Sequence, residues 1–257
     1  MIYDIRNPEK AKETLSNMTG LSERQWDQLI KLRGNFRYSE DFVQHIVEKY
    51  ELSLPDFVDF QFVFFHITTS SNDCRTIREY GLYNLQETYK FEATELRQFL
   101  DSLDIKIDIE NAVLKHKGQT YNIAFDNGEV DSDAWAVGRK FYFDFCICGF
   151  LSVSNNYEYG GYVHKRPEFL MNIDDLLNTN YIELWIENKK VYQVIVCVNS
   201  NAFVLDDESD EERVMRYLHL AYLTAYEYQG EEIVLCKNDV HIPIEDILSI
   251  EPFEQWT

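Results

Sequence analysis

Up to Pro55 the apolar residues fall at helical spacing, and beyond it they fall mostly at strand spacing. Asn7-Pro8 reads as an N-cap followed by proline at the first helical position, which predicts a helix over Glu9–Met18. Ser22 and Gln25 form a capping-box pattern before Trp26, Leu29, Ile30 and Leu32, with Gly34 as the stop. Ser39 opens a third predicted helix, with Phe42, Val43, Ile46 and Val47 on one face. These elements make residues 1–55 an N-terminal helical segment. It is expected to cap a main domain over 56–257 rather than to stand as an independent module.

Phe57–Ile67 (FVDFQFVFFHI) is aromatic and β-branched and predicts a buried strand. Ser70 or Ser71 is expected to cap a short helix ending at Tyr80-Gly81, and Glu92–Leu103 reads as another helix. Ala112–Phe125 reads as a hairpin turning at Lys117-Gly118. Phe141–Val153 reads as one long apolar strand, followed by a Tyr- and Gly-rich loop over Asn155–Pro167. Ile182–Ile186 and Val191–Val198 read as a second hairpin. Ser209 and Glu212 form a capping box opening a helix to about Tyr228, striped by Val214, Leu218, Ala221, Tyr222 and Ala225. Ile233–Leu235, Val240–Ile242 and Ile247–Ile250 are predicted short strands. Many short strands with helices mostly early predict an α+β fold rather than a doubly wound sheet. No GxGxxG or Walker pattern supports a Rossmann or P-loop site.

Composition narrows the function classes. Hydrophobic residues make up 45% of the 257, enough for a sizeable core, and no run is long and apolar enough for a membrane span. The start lacks a signal-peptide core, and the five cysteines are odd in number and lie mostly in apolar stretches, so a cytoplasmic protein with reduced thiols is expected. The net charge is −21, of which residues 1–55 carry −1 and the remainder −20. Such a body repels phosphate backbones at long range, which disfavours non-specific nucleic-acid binding but not a local site.

Three constellations could carry chemistry. The first is FFHITTSSNDCRTIREYGL, Phe64–Leu82, in which His66 ends a buried strand beside the hydroxyls of Thr68 and Thr69. The amides opening the following helix would suit an anion or a diphosphate. His66 reads also as a histidine satisfied inside the core, with threonines that merely cap the helix. The second is NNYEYGGYVHKRPEFL, Asn155–Leu170, where Tyr157, Tyr159 and Tyr162 flank two glycines and could stack on a planar ring. His164, Lys165 and Arg166 form the densest basic cluster of the acidic part, although an ordinary surface loop would look the same. The third is EYQGEEIVL, Glu227–Leu235. Here Glu231 and Glu232 point to opposite faces of an extended segment, so only one can face a cleft. Cys146, Cys148 and His164 have a poor spacing for zinc, and no metal is expected.

Taken in order, these features resemble the three motifs of the ADP-ribosyltransferase fold: a strand-borne His or Arg, a Tyr or Ser motif, and a catalytic Glu before an apolar strand. The layout of FFHIT, of the YEYGGY loop, and of QGEEIVL with the ending VHIPIEDILSIEP is similar to that of DarT-type toxins and related phage-defence transferases. The resemblance spans residues 57–252 in motif order, and about 45 of them carry it. It implies split antiparallel sheets, NAD as substrate, and transfer of ADP-ribose to a protein or nucleic acid in bacterial or phage conflict, with an antitoxin or inhibitor as a partner. Glu232 would be the catalytic glutamate, with Glu231 its rival. His66 would bond a ribose of NAD with Thr68 beside it, and Tyr162 or Tyr159 would pack against nicotinamide. Arg166, Arg75 and Arg139 are the choices for the diphosphate. The charge alone supports an alternative, an acidic non-enzymatic binding or inhibitor protein.

Overall fold

In the computed structural model, residues 1–125, 130–153, 162–228 and 230–253 are described. The chain opens with β1 (Ile2–Asp4), which pairs in parallel with β2 (Gln61–Ser70), Tyr3 opposite Phe62. Hydropathy marks no strand there, because three residues are too few to show a period. Helices α1 (Pro8–Thr19), α2 (Glu23–Leu29) and α3 (Ser39–Lys49) follow. Asn7 Oδ1 accepts the Lys10 N–H at 2.9 Å, with Pro8 at the first helical position. Gln25 Oε1 accepts both the N–H and the hydroxyl of Ser22. Ser39 is not a cap. Tyr38 holds that position, and Ser39 Oγ lies 2.8 Å from His219 Nε2.

Next come α4 (Arg75–Tyr80), α5 (Leu85–Lys90), α6 (Glu95–Ser102) and the antiparallel strands β3 (Ile105–Asp108), β4 (Val113–His116) and β5 (Gln119–Asn122). The β4–β5 hairpin turns at Lys117-Gly118, as predicted. Helix α4 stops at Gly81, φ +90, where a Cβ would lie 2.3 Å from the Ile242 carbonyl oxygen. Both the dihedral and the close approach require glycine there. The remaining elements are α7 (Asp133–Tyr142), β6 (Cys148–Ser152), α8 (Phe169–Leu177), α9 (Tyr181–Ile186), β7 (Lys190–Asn199), α10 (Asp210–Tyr222), β8 (Glu232–Leu235) and β9 (Ile247–Pro252). Ser209 caps α10 by accepting the Glu212 N–H, and Glu212 accepts the Ser209 N–H in return.

Four predicted strands come out differently. The one from Phe57 begins instead with a 3-10 turn, Phe57–Asp59, and β2 runs on past Ile67 to Ser70. The long strand over Phe141–Val153 is the end of α7, a connector and the short β6. Ser132 caps α7 at the Trp135 N–H, and the buried Val137 and Phe141 lie one helical turn apart, a period that the alternating phenylalanines conceal. Ile182–Ile186 lies in α9, not in a hairpin. Asp174 of α8 accepts the N–H groups of Tyr181 and Ile182 at 2.8 and 2.9 Å. A cap supplied by another helix overrides local β-propensity and leaves no signature inside the segment. Helices α5 and α8 are absent from the prediction, and Val240–Ile242 is reduced to one bridge, Ile242 with Leu82.

The fold is α+β, arranged as two compact units. The first holds the described residues of 1–65, 148–157 and 195–235, and the second those of 66–147, 158–194 and 236–257. Strands β2 and β7 contribute to both. In the first unit the strand order is β8-β6-β2-β7, with β1 beside β2. Its core is aromatic: Phe62 meets Tyr217 at 4.8 Å between ring centroids and Tyr3 at 5.0 Å, and the Tyr3 hydroxyl donates to the Tyr217 carbonyl. Helices α1 and α3 pack on α10, with Trp26 and Phe42 against Tyr222. The N-terminal helical segment thus shares one core with β2 and α10. In the second unit the order is β2-β7-β9, beside the three-stranded β3-β4-β5 sheet. Leu100, Ile105, Leu114, Val137, Phe141 and Ile173 are fully buried in its core. Among the described residues, no helix is long and apolar enough to cross a membrane.

Candidate functional site

His66 does not end its strand. It lies inside β2, half-buried, between buried Phe65 and Ile67. Thr68 is likewise half-buried, whereas the Thr69 hydroxyl accepts the buried Trp185 indole N–H at 2.9 Å. Some of the amides between β2 and the helix after it are already bonded. Ser70 Oγ accepts the N–H groups of Asn72 and Cys74, and Asn72 Oδ1 accepts that of Arg75. Asp73 and Cys74 adopt left-handed dihedrals, and the helix they lead into has only six residues.

The chain supplies its own anion here. Glu95, at the start of α6, accepts from the Ser71 N–H at 2.9 Å, from the Ser71 hydroxyl at 2.8 Å, and from the Ser70 hydroxyl. Lys189 Nζ completes the cluster as an ion pair with Glu95, its ammonium 4.1 Å from the Trp185 ring centroid. Burial alone would push the Glu95 carboxyl up, but Lys189, Ser70 and Ser71 together hold it below the usual carboxylate range. Nearby, the Tyr192 hydroxyl donates to Asp73, a bond that with burial pushes the phenol up to about 12. Burial raises the Cys74 thiol to about 11, which makes it a structural thiol rather than a nucleophile.

The middle motif is only partly described. Tyr159 and the two glycines lie outside the described residues, as does Tyr157. Tyr162 is exposed, at φ +50, with Lys165 Nζ 4.9 Å from its ring centroid. Arg166 is not part of an exposed basic cluster. It is 6% exposed, burial lowers its pKa, and Nη2 lies 3.5 Å from Met171 Sδ.

The third motif opens β8, in the first unit. Glu232 is its first residue and pairs with Ser152 of β6; Ile233 pairs with Phe150, leaving Leu151 as the extra residue of a bulge. Gly149 makes this stretch of β6 possible, since a Cβ there would lie 2.3 Å from the Phe64 ring. The Ser152 hydroxyl donates to the Gly230 carbonyl at 2.9 Å, fixing the turn before Glu232; Gln229 lies outside the described residues. Along β8, Ile233 and Leu235 are exposed while Val234 is buried, so Glu232 shares the inward face. Burial pushes its carboxyl above the usual range, the Arg216 guanidinium pulls it partly back, and Glu231 pushes it further up. Among the described residues, no donor is hydrogen-bonded to Glu232.

Arg216 of α10 is the cation whose field acts on Glu232, and the sequence analysis does not single it out. Its Nε donates to Glu208 at 3.0 Å, and its guanidinium lies 4.8 Å from the Tyr217 ring centroid. It lies off the apolar stripe of α10, next to buried Tyr217. Nothing in the sequence brings α10 to Glu232. Of the other arginines considered, Arg75 is exposed with no ion pair among the described residues, and Arg139 lies 3.9 Å from Asp144. His66, Thr68, Tyr162 and Arg166 belong to the second unit, and Glu231 and Glu232 to the first. Among the described residues, no group of three or more His, Cys, Asp or Glu side chains is placed to hold a metal. Comparison with protein-family models, curated proteins and solved structures returned no match.

Proposed function

We propose that the chain is an NAD-dependent mono-ADP-ribosyltransferase acting on a protein or nucleic acid, of the kind used in bacterial and phage conflict, with the split-sheet fold of that family. One observation carries the reading: Glu232, at the motif position the resemblance assigns to the catalytic glutamate, is half-buried, unbonded among the described residues, and held above its usual pKa. A carboxylate left without donors in a partly dry setting is costly to the fold, and such costs gather at functional sites.

In this reading, the bond between nicotinamide and its ribose breaks, and the electron pair leaves with nicotinamide. The Glu232 carboxylate stabilises the oxocarbenium that forms. The acceptor's nucleophile then bonds to that carbon, and its proton passes to Glu232, which a raised pKa makes a better base. The resemblance assigns the ribose to His66 and Thr68 and the nicotinamide to Tyr162, all three in the second unit. Buried Arg166 suits the diphosphate less well than exposed Arg75.

A second reading, an acidic non-enzymatic binding or inhibitor protein, is favoured by one finding: Glu95 occupies the Ser70–Ser71 cluster that leads into the helix expected to face a diphosphate. Labelled NAD incubated with cell lysate separates the two. Transfer by wild type that is lost in Glu232→Gln and retained in Glu231→Gln supports the enzyme. Equal transfer in both variants refutes the assignment of Glu232, and no transfer or NAD-induced thermal shift in the wild type favours the binder.

A further inference from the structure

Strand β8 is the outermost strand on its side of the first unit, with β6 as its strand neighbour. Its backbone groups fall into two sets. Val234 pairs with Gly149, and Cys236 N–H donates to the Ile147 carbonyl, so the even positions point to β6. The Leu235 carbonyl points the other way, where it accepts the Val204 N–H at 2.9 Å. By the two-residue alternation of an antiparallel ladder, the N–H and C=O of Ile233 also point outward. Among the described residues, neither has a partner on that side.

The side chains beside this edge are apolar and open. Ile233 is 42% exposed, Leu235 43% and Val204 59%. Edge strands usually carry a guard, such as proline or a charged side chain. Strand β9 of the second unit has one: Arg78 donates to the Ile250 carbonyl, and Pro252 closes the strand. No described side chain covers the outward groups of Ile233 in this way.

The charge beside the edge selects the occupant. Val204 leads directly into residues 206–212, so that 204–216 hold six acidic residues against Arg213 and Arg216. Those two arginines pair with Asp210 and Glu208, leaving Asp206, Asp207, Glu211 and Glu212 without an ion pair among the described residues. Two copies of a chain carrying −21 repel each other, so self-pairing at this edge is opposed. A basic segment meets the opposite situation, and an extended one can match the free backbone groups.

We propose that the outer edge of β8 docks an extended, lysine- or arginine-rich peptide, which adds to the sheet as a strand against Ile233 and lays apolar side chains on Ile233, Leu235 and Val204. This does not rest on the transferase reading, and its test uses no NAD. The probe is a short fluorescent peptide alternating lysine with valine, titrated into the full chain beside a control with glutamate for lysine. The lysine peptide should bind, weaken as salt rises, and slow hydrogen exchange at the Ile233 amide; the glutamate control should bind at least tenfold more weakly. Ile233→Pro removes the outward N–H without touching the bonds to β6 and should weaken binding at least tenfold. Ile233→Lys, which leaves the backbone intact and sets like charge against the probe, should do the same. Absence of binding, equal binding of the two peptides, binding unchanged in both variants, or a wild-type dimer using this edge would each overturn the proposal.

Discussion

Glu95 and Glu232 are both half-buried carboxylates at the start of a regular element, yet their surroundings are opposite. Glu95 accepts from Ser70, Ser71 and the Lys189 ammonium, and its pKa falls. Glu232 has no hydrogen-bond donor among the described residues, Arg216 as a neighbouring cation and Glu231 as a repelling anion, and its pKa rises. Burial acts upward on both, so the difference lies in the donors each receives. A carboxylate completed by its own chain holds structure, and one left incomplete is available to a substrate. The Ser70–Ser71 cluster is therefore occupied by Glu95, and the proposed transfer is assigned to Glu232 in the first unit.

Substitutions can break this contrast. The largest effect is expected at Glu232: changing it to Gln should cut transfer by about a hundredfold or more, read as nicotinamide release, with little change in stability. Glu95→Gln should do the reverse, costing roughly 2–4 kcal/mol in urea unfolding, because it leaves the buried Lys189 ammonium without its counter-charge. Thr69→Val takes the acceptor from the buried Trp185 indole and should cost about 1–3 kcal/mol, sharpening the view that the Thr69 hydroxyl serves packing. The smallest effect is in pH dependence. The Glu95 contribution is present above the ordinary glutamate pKa and is lost as pH falls through its lowered value. The Glu232 contribution is present below that ordinary value and is lost as pH rises through its raised one. Both Gln variants should therefore match wild type at low pH and part from it as pH rises, Glu95→Gln toward lower stability in the window below about pH 4.3 and Glu232→Gln toward higher stability in the window above it.

Local signals were legible in the sequence. The Asn7-Pro8 start, the Ser22–Gln25 and Ser209–Glu212 boxes and the Lys117-Gly118 turn involve residues at most three apart, and each takes the expected form. The apolar stripe of α10 is equally local, with Val214, Leu218, Ala221 and Tyr222 buried. What failed depends on distant partners. Helix α9 relies on Asp174 of the preceding helix, and the end of β2 on Lys189 and Glu95. Of the candidate site, the opposite facing of Glu231 and Glu232 follows from strand alternation, but that Glu232 is the one on the face of buried Val234 needed the register of β8. The open edge of β8 was invisible because strand order in the sheet does not follow chain order.

The most direct test measures nicotinamide release from NAD and the urea unfolding midpoint on the same preparations of wild type, Glu95→Gln and Glu232→Gln. The account predicts that Glu95→Gln lowers the midpoint while its folded fraction still releases nicotinamide, and that Glu232→Gln keeps or raises the midpoint and loses release. Release that survives in Glu232→Gln, or a midpoint that falls there as far as in Glu95→Gln, would contradict it.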